Sequence, residues 1–488
     1  MNVRTSDATP AVTDAVRSTI PARIDRLPWS PFHTRMVLAL GVAWVLDGLE
    51  ITIASNVADK LTDPAVLGLS ATAAGALASV YLAGEVFGAL LFGRLSDRLG
   101  RRNLFAVTLI VYFAGSAATA ATLGSGPGWV AYLYATRFVA GTGIGGEYAA
   151  INSAIDELIP ARYRGRVDVA VNGTYWAGAA LAAVLQIPLL DGSLAPGSGW
   201  RIAFLIGPAL GIGIVFVRRS LPESPRWQLM HGRTAGAEDS IRRIEDEVRS
   251  AGIALSDVDP ARAIEVRPGP DRGYLTLLRV LFRTYPRRAV LGVTLMVTQS
   301  FLYNAIFFTY ATVLSAFYGI PSGSTSRYYI PFALGNFVGP LLLGSAFDRI
   351  GRRPMIAGCY LGSGILLALD AFAFRAGVFD ASTQTLAWCV IFLFASAGAS
   401  AAYLTVSEIF PLEVRAKAIA VFFAIAQCVG ALGPICYGAL IDKAHPNPTR
   451  LALGYVLGAA VMMTGGVVEL ALGVSAENKS LEEVSGLG

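Results

Sequence analysis

The stretch Gly93-Arg-Leu-Ser-Asp97-Arg98-Leu-Gly100-Arg101-Arg102 recurs 251 residues later as Gly344-Ser-Ala-Phe-Asp348-Arg349-Ile-Gly351-Arg352-Arg353. A second set, Glu157, Pro160 and Arg164, reappears at the same offset as Glu408, Pro411 and Arg415. Two motifs that keep one register imply two homologous halves. What lies between the motifs says what the halves are made of.

Of the 488 residues, 54% are hydrophobic and 15% charged, which is too apolar for a water-soluble chain of this length. Apolar runs lie near 34–58, 70–93, 104–123, 128–152, 167–190, 201–219, 288–318, 326–347, 354–375, 384–407, 416–440 and 451–473. Each is about 20 residues or longer and does not alternate, so each reads as a helix that satisfies its own backbone in hydrocarbon. The predicted fold is therefore an all-α membrane protein with twelve transmembrane helices in two pseudo-symmetric six-helix bundles. Its expected parts are a tail (1–33), a first bundle (34–219), a linker with short helices (220–287), a second bundle (288–473) and a closing tail (474–488). Glycines inside the runs, such as Gly141, Gly143, Gly145 and Gly146, read as packing surfaces where backbones approach.

Lys and Arg set the orientation. With the N-terminus inside, 32 of the 39 fall on the inner side, 6 on the outer side and one, Arg137, within a span. Both termini are then cytoplasmic, as in a multi-pass protein of the plasma (inner) membrane. The net charge of +5 reflects inner loops drawn to an anionic leaflet and implies no nucleic-acid partner. The first 30 residues have no apolar core and read as a polar tail, not a cleaved signal peptide. Around Ser240 to Arg249 the linker reads as short amphipathic helices. Cys359, Cys389, Cys428 and Cys436 lack metal spacing and are expected as small buried apolar residues.

The duplicated loops have a mechanical rationale. A short inner loop can pair Asp97 with neighbouring arginines or a helix N-terminus, and such pairs form in one conformation and break in another. The expected gate comprises Asp97, Arg98, Arg101, Arg102, Glu157 and Arg164, with Asp348, Arg349, Arg352, Arg353, Glu408 and Arg415 in the second half.

On these loop motifs the chain resembles the major facilitator superfamily over nearly all residues from 34 to 483. Within it, Arg137-Phe-Val-Ala-Gly141-Thr-Gly143, then Glu157-Leu-Ile-Pro160 and Arg164-Gly165, resembles the sugar porter family. So do Pro222-Glu223-Ser224-Pro225-Arg226-Trp227, Glu408-Ile-Phe-Pro411-Leu-Glu-Val-Arg415 and the tail Glu477-Asn-Lys479-Ser-Leu481-Glu482-Glu483. The resemblance implies the twelve-helix transporter fold, a proton-coupling role for Glu50 with Arg137 as partner, and substrate contacts at Gln299, Asn304 and Asn336. Asn172 stands where that family has a fifth-helix Gln, and Tyr403 where it has a tenth-helix Trp. Gly145-Gly146-Glu147 is instead similar to metabolite:proton symporters and organic-ion or nicotinate carriers.

Charges at the bilayer centre cost on the order of 2.5–3.5 kcal/mol each, so Asp47, Glu50, Arg137 and Glu147 are expected to be paired or functional. Asp47 and Glu50 share one helix face, and the protonation of such a pair depends on its neighbours and so on conformation. All four are candidates for proton coupling. Gln299, Asn304, Asn336 and Asn172 offer both donors and acceptors to a polar solute, while Trp176, Tyr303, Phe307, Phe308 and Tyr403 are placed to stack on a ring.

Gly141-x-Gly143-x-x-Gly146 matches a dinucleotide-binding pattern but sits mid-span with no preceding strand, so it reads as packing. His33, His231 and His445 are far apart, and neither a metal site, a cofactor site nor an enzyme's catalytic set is visible. The expected function is secondary active transport, as a proton-coupled symporter of a small polar metabolite with a sugar-like solute favoured. The alternatives are a proton-coupled carrier of an organic acid or ion, aromatic or nicotinate-like, and an uncoupled facilitator. Its partners are solute, protons and lipid, and a monomer contains the whole pathway.

Overall fold

The computed structural model describes residues 16–61, 66–69, 71–190, 198–219, 223–266, 273–320, 325–441 and 446–477, with 479 and 484. Long helices occupy all twelve apolar runs. They are Pro31–Lys60, Ala71–Leu99, Arg101–Ala120, Pro127–Leu158, Ala161–Gly173 continuing as Tyr175–Leu190, and Gly199–Arg219 in the first half. In the second half they are Pro286–Tyr318, Thr325–Arg349, Arg352–Arg375, Ala381–Ile409, Leu412–Gly430 continuing as Leu432–Leu440, and Pro448–Leu472. Nine of the described helices are long and apolar enough to cross a membrane on their own. The fourth is diluted by glycines and by Arg137 and Glu147, and it packs between the second and third helices.

Packing repeats between the halves. The first helix packs on the fifth, the second on the fourth and the third on the sixth; correspondingly, the seventh packs on the eleventh, the eighth on the tenth and the ninth on the twelfth. The halves meet along two seams, second helix against eleventh and fifth against eighth, which the pseudo-symmetry exchanges. Close approach inside a bundle depends on missing side chains. A Cβ on Gly48 would lie 1.8 Å from the Tyr175 carbonyl oxygen, and one on Gly178 would lie 1.8 Å from that of Val45. Small residues give this contact because lipid offers helices no hydrophobic drive to associate.

The loop motifs turn at Gly100 and Gly351, whose φ angles of 81° and 116° favour glycine. An acid following each half stands against the turn. A Cβ on Gly100 would meet Glu223 Oε2 at 2.4 Å, and Glu477 Oε2 accepts from the Arg352 backbone N–H at 3.3 Å.

Residues 16–25 belong to the stretch read as a polar tail, yet they are folded onto the linker. Strand Val16–Ser18 pairs antiparallel with Ile264–Val266, Val16 opposite Val266. Helix Ile20–Asp25 then buries Ile20 and Ile24 against Leu229, Ala237 and Ile241. In the linker helix Thr234–Ser250 the buried positions Ala237, Ile241, Ile244 and Val248 recur every three or four residues, so its apolar face is covered by protein. Arg23 joins the two layers, at 2.7 Å from Glu238 and 2.6 Å from Glu245.

The cysteines divide. Cys359 is buried and Cys389 partly so, whereas Cys428 and Cys436 are exposed on the eleventh helix, contrary to the expectation of burial. A small apolar side chain is equally satisfied facing lipid.

Candidate functional site

A cavity of about 580 Å³ lies between the halves. Its walls include Trp44, Tyr81, Arg137, Tyr148 and Trp176 from the first half, and Gln299, Asn304, Tyr303, Tyr403 and Gln427 from the second. It extends past Leu61, Ala76 and Pro434, toward the end of the bundle opposite the duplicated loops.

Much of the wall is aromatic and crosses the interface. Trp176 packs on Tyr303 at 5.6 Å and on Phe307 at 5.8 Å between ring centroids. Tyr148 lies 6.1 Å from Tyr403 with the rings 13° from parallel, and 4.3 Å from Phe423. Among these rings, the Gln299 side chain makes no hydrogen bond to a described residue, although it is only 7% exposed. An aromatic cavity wall with an uncommitted amide is suited to a small ring that carries polar groups.

The first-half wall is backed by charges. Arg137 Nη1 donates to Glu50 Oε1 at 2.6 Å, and Glu50 also accepts from Tyr112 at 3.1 Å and from Ser116. The guanidinium lies over the rings of Tyr81 and Phe204 at 4.6 and 4.8 Å, a cation–π setting, and its Nη2 has no hydrogen-bond partner among the described residues. Asp47 Oδ2 accepts from Tyr148 at 2.6 Å, while Asp47 Oδ1 has no hydrogen-bond partner among the described residues. Glu147 is buried next to Tyr148 in sequence and accepts from Thr108 at 3.5 Å, away from the cavity wall.

At the other end the halves are joined by charge. Glu408 accepts from Arg164 of the first half at 3.5 Å and from Arg352 Nε at 3.1 Å. Asp348 accepts from Arg352 at 2.6 Å and from the Arg166 backbone N–H at 2.9 Å. Asp25 of the docked N-terminal helix lies 3.8 Å from Arg164 and 3.4 Å from Arg226. Arg415 donates to the Phe410 carbonyl at 3.0 Å, Arg353 donates to the Leu470 carbonyl, Arg349 is exposed, and Glu157 is buried with its carbonyl facing Arg226. The side chains of Asp97, Arg98, Arg101 and Arg102 lie outside the described residues.

Of the residues singled out from sequence, Gln299, Asn304, Asn172, Tyr403, Trp176 and Arg137 line the cavity. Asn336 does not; its Oδ1 accepts from Tyr303 at 3.1 Å and so holds a wall residue from behind. Sequence reasoning missed Glu85, a buried acid in the second helix whose Oε2 accepts from Gln427 at 2.7 Å. The rule that singles out Glu50, an acid within an apolar run, applies equally to Glu85 in Ala83-Gly84-Glu85-Val86. It also flags Asp168, Asp370 and Glu469, which are buried away from the cavity wall.

Residues 41–485 match the model of a family described as sugar (and other) transporter. The niacin transporter NiaP of Acinetobacter baylyi is 27% identical over 467 residues, covering 95% of this chain and 99% of that protein. Among solved structures, the proton:xylose symporter XylE bound to 6-bromo-6-deoxy-D-glucose superposes with a TM-score of 0.77 at 20% identity, covering 93% of this chain and 99% of that one. The inward open conformation of XylE from E. coli superposes less closely, with a TM-score of 0.65 at 20% identity and the same coverage.

Proposed function

The chain belongs to the sugar (and other) transporter family of the major facilitator superfamily, and from that premise we propose that it is a proton-coupled symporter of a small planar metabolite carrying a carboxylate or carboxamide. As a member of that family it is a multi-pass membrane transporter and not an enzyme. The finer reading rests on one observation: aromatic side chains from both halves face the cavity around the uncommitted Gln299 amide. Rings bind a flat ring by stacking, and the amide fixes its polar substituent. The Arg137 side chain on the facing, first-half wall suits a carboxylate. A relative named as a niacin transporter over nearly the whole chain supports the same class.

Coupling follows from the Glu50–Arg137 pair. Protonation of Glu50 releases Arg137 and lowers the barrier to rocking between states, while the solute sits between the halves. By the basic-residue asymmetry the loop end is cytoplasmic, so the Arg164–Glu408 pair closes the inner side and the cavity faces outward. The protein acts in the inner membrane as a monomer, with solute and protons as partners. A sugar is the second reading, favoured by the amides of Gln299, Asn304 and Gln427 on one wall.

The test is uptake of labelled nicotinate, nicotinamide, xylose and glucose into proteoliposomes under an imposed inward proton gradient. Gradient-driven accumulation of the pyridine compounds is expected. Accumulation of xylose or glucose alone would move the assignment to the sugar, and equilibration that ignores the gradient would sink the coupling.

A further inference from the structure

The second–eleventh seam carries a polar chain that ends on the acid missed from sequence. Asn304 Nδ2 donates to Ser300 Oγ at 3.3 Å, Ser300 Oγ donates to Gln427 Oε1 at 2.8 Å, and Gln427 Nε2 crosses between the halves to donate to Glu85 Oε2 at 2.7 Å. Asn304, Ser300 and Gln427 line the cavity, whereas Glu85 lies behind the wall, 0% exposed. Its Oε1 has no hydrogen-bond partner among the described residues. Asp47 also has one free oxygen, but its bond to Tyr148 stays within the first half, so it does not span the seam.

We propose that Glu85 takes up a transported proton and that the Asn304–Ser300–Gln427 chain links this uptake to solute occupancy. The inference rests on reading the cavity as the solute site of a proton symporter. A carboxylate with one oxygen bare in an apolar interior is costly unless it is compensated, and its hydrogen-bonded compensation among the described residues is the N–H of Gln427, with the Arg137 charge nearby. A solute that engages Asn304 or Ser300 takes a donor out of the chain and reorients Gln427, which alters what Glu85 faces. The proton adds to Oε1 and forms an O–H bond. Protonation weakens the Gln427 N–H contact to Oε2, as that oxygen loses charge, and removes the attraction between Glu85 and the Arg137 charge. Loosening this contact frees the second–eleventh seam, while the pseudo-symmetric fifth–eighth seam keeps its packing of Gly173 on Pro340. The proton leaves to the opposite side after the halves rock.

The charged and titratable groups facing Glu85 are Asp47 on the first helix, Arg137 and Tyr148 on the fourth, Tyr175 on the fifth and Tyr403 on the tenth, with Tyr81 a turn away on its own helix. Arg137 is committed to Glu50, which leaves Gln427 as the hydrogen-bond donor to Glu85.

The experiment has two arms on the full chain. Infrared difference spectra during a pH titration need no solute. A protonated-carboxyl band is expected in the wild type, lost in Glu85→Gln and shifted in Gln427→Leu; a wild type and Glu85→Gln with identical bands would overturn the proposal. In the second arm, nicotinate counterflow and gradient-driven uptake are compared in proteoliposomes. Glu85→Gln should keep counterflow but lose one proton's share of the pH dependence of its KM, about tenfold per pH unit, while the share carried by Glu50 stays. Retention of the full wild-type dependence in Glu85→Gln, with rates lowered equally in both assays, means a packing role and rejects the proposal. A wild type that moves none of the probes fails the solute reading instead, and the infrared arm still decides Glu85.

Discussion

Arg137 and Glu50 meet at 2.6 Å with side chains 1% and 0% exposed, a buried ion pair between the first and fourth helices. Such a pair is weak evidence for stability but strong evidence of what its rupture does. Glu50→Gln leaves the guanidinium over Tyr81 and Phe204 without a counter-charge, at a cost of about 3–5 kcal/mol. The double variant Glu50→Gln/Arg137→Gln removes that uncompensated charge. Thermal unfolding should therefore fall sharply in the single variant and recover in the double one, while gradient-driven accumulation is absent from both. Recovery of accumulation with stability would mean that the pair only fixes helix register.

The ring wall gives a prediction about substrate class. Trp176 touches Tyr303 and Phe307 across the interface, and an aromatic pair contributes about 0.5–1.5 kcal/mol beyond buried area. Trp176→Ala should raise the KM for nicotinate by roughly tenfold, with less effect on maximal rate, and Trp176→Phe should restore most of the loss. Equal losses for nicotinate and xylose would show that Trp176 only shapes the cavity.

The inner-end charges make a conformational prediction. Glu408 binds Arg164 of the other half as well as Arg352 of its own, so Glu408→Gln weakens the link between halves and leaves the bundles intact. Coupling energies of this kind are about 1–3 kcal/mol, enough to move a population by tenfold or more. Spin labels at the exposed positions Arg166 and Arg349 report the separation of the halves at this end. The distance distribution should gain a longer component in Glu408→Gln, and an unchanged distribution would remove Glu408 from the gate.

What sequence could say follows from the range of each interaction. A span is legible because lipid imposes its requirement on every residue of a run, so the twelve helices and their duplicated loops emerge from composition and spacing alone. Gln299, Asn304 and Trp176 are legible as polar or aromatic residues in such runs, and they do reach the cavity. Asn336 has the same local signature but points behind Tyr303, a distinction set by helix rotation. Glu85 has the same local signature as Glu50, but its bond to Gln427, 342 residues away, is invisible in local pattern. Residues 16–25 looked like a polar tail because their apolar pair, Ile20 and Ile24, makes a face only once Ala237 and Ile241 arrive from the linker.

That docked segment yields the last prediction, a dependence on pH. Burial opposes the charge on Glu245, but hydrogen bonds from Arg23 and Arg26 outweigh it and hold its carboxyl below the usual range. A depressed folded-state pKa contributes stability that is fully present above the unfolded value, about 4.3, and is lost as pH falls through the folded value below it. Docking of Ile20–Asp25 on Thr234–Ser250 should thus be indifferent to pH near neutrality and loosen only in distinctly acid solution. Hydrogen exchange of the amides of residues 20–25, corrected for intrinsic rates, measures this directly. Glu245→Gln should exchange faster at neutral pH and show no further loosening from this group on acidification, because the amide cannot ionise and leaves Arg23 and Arg26 without their shared anion. Wild-type exchange that rises already between neutral pH and the ordinary carboxylate range would mean that another group holds the segment down.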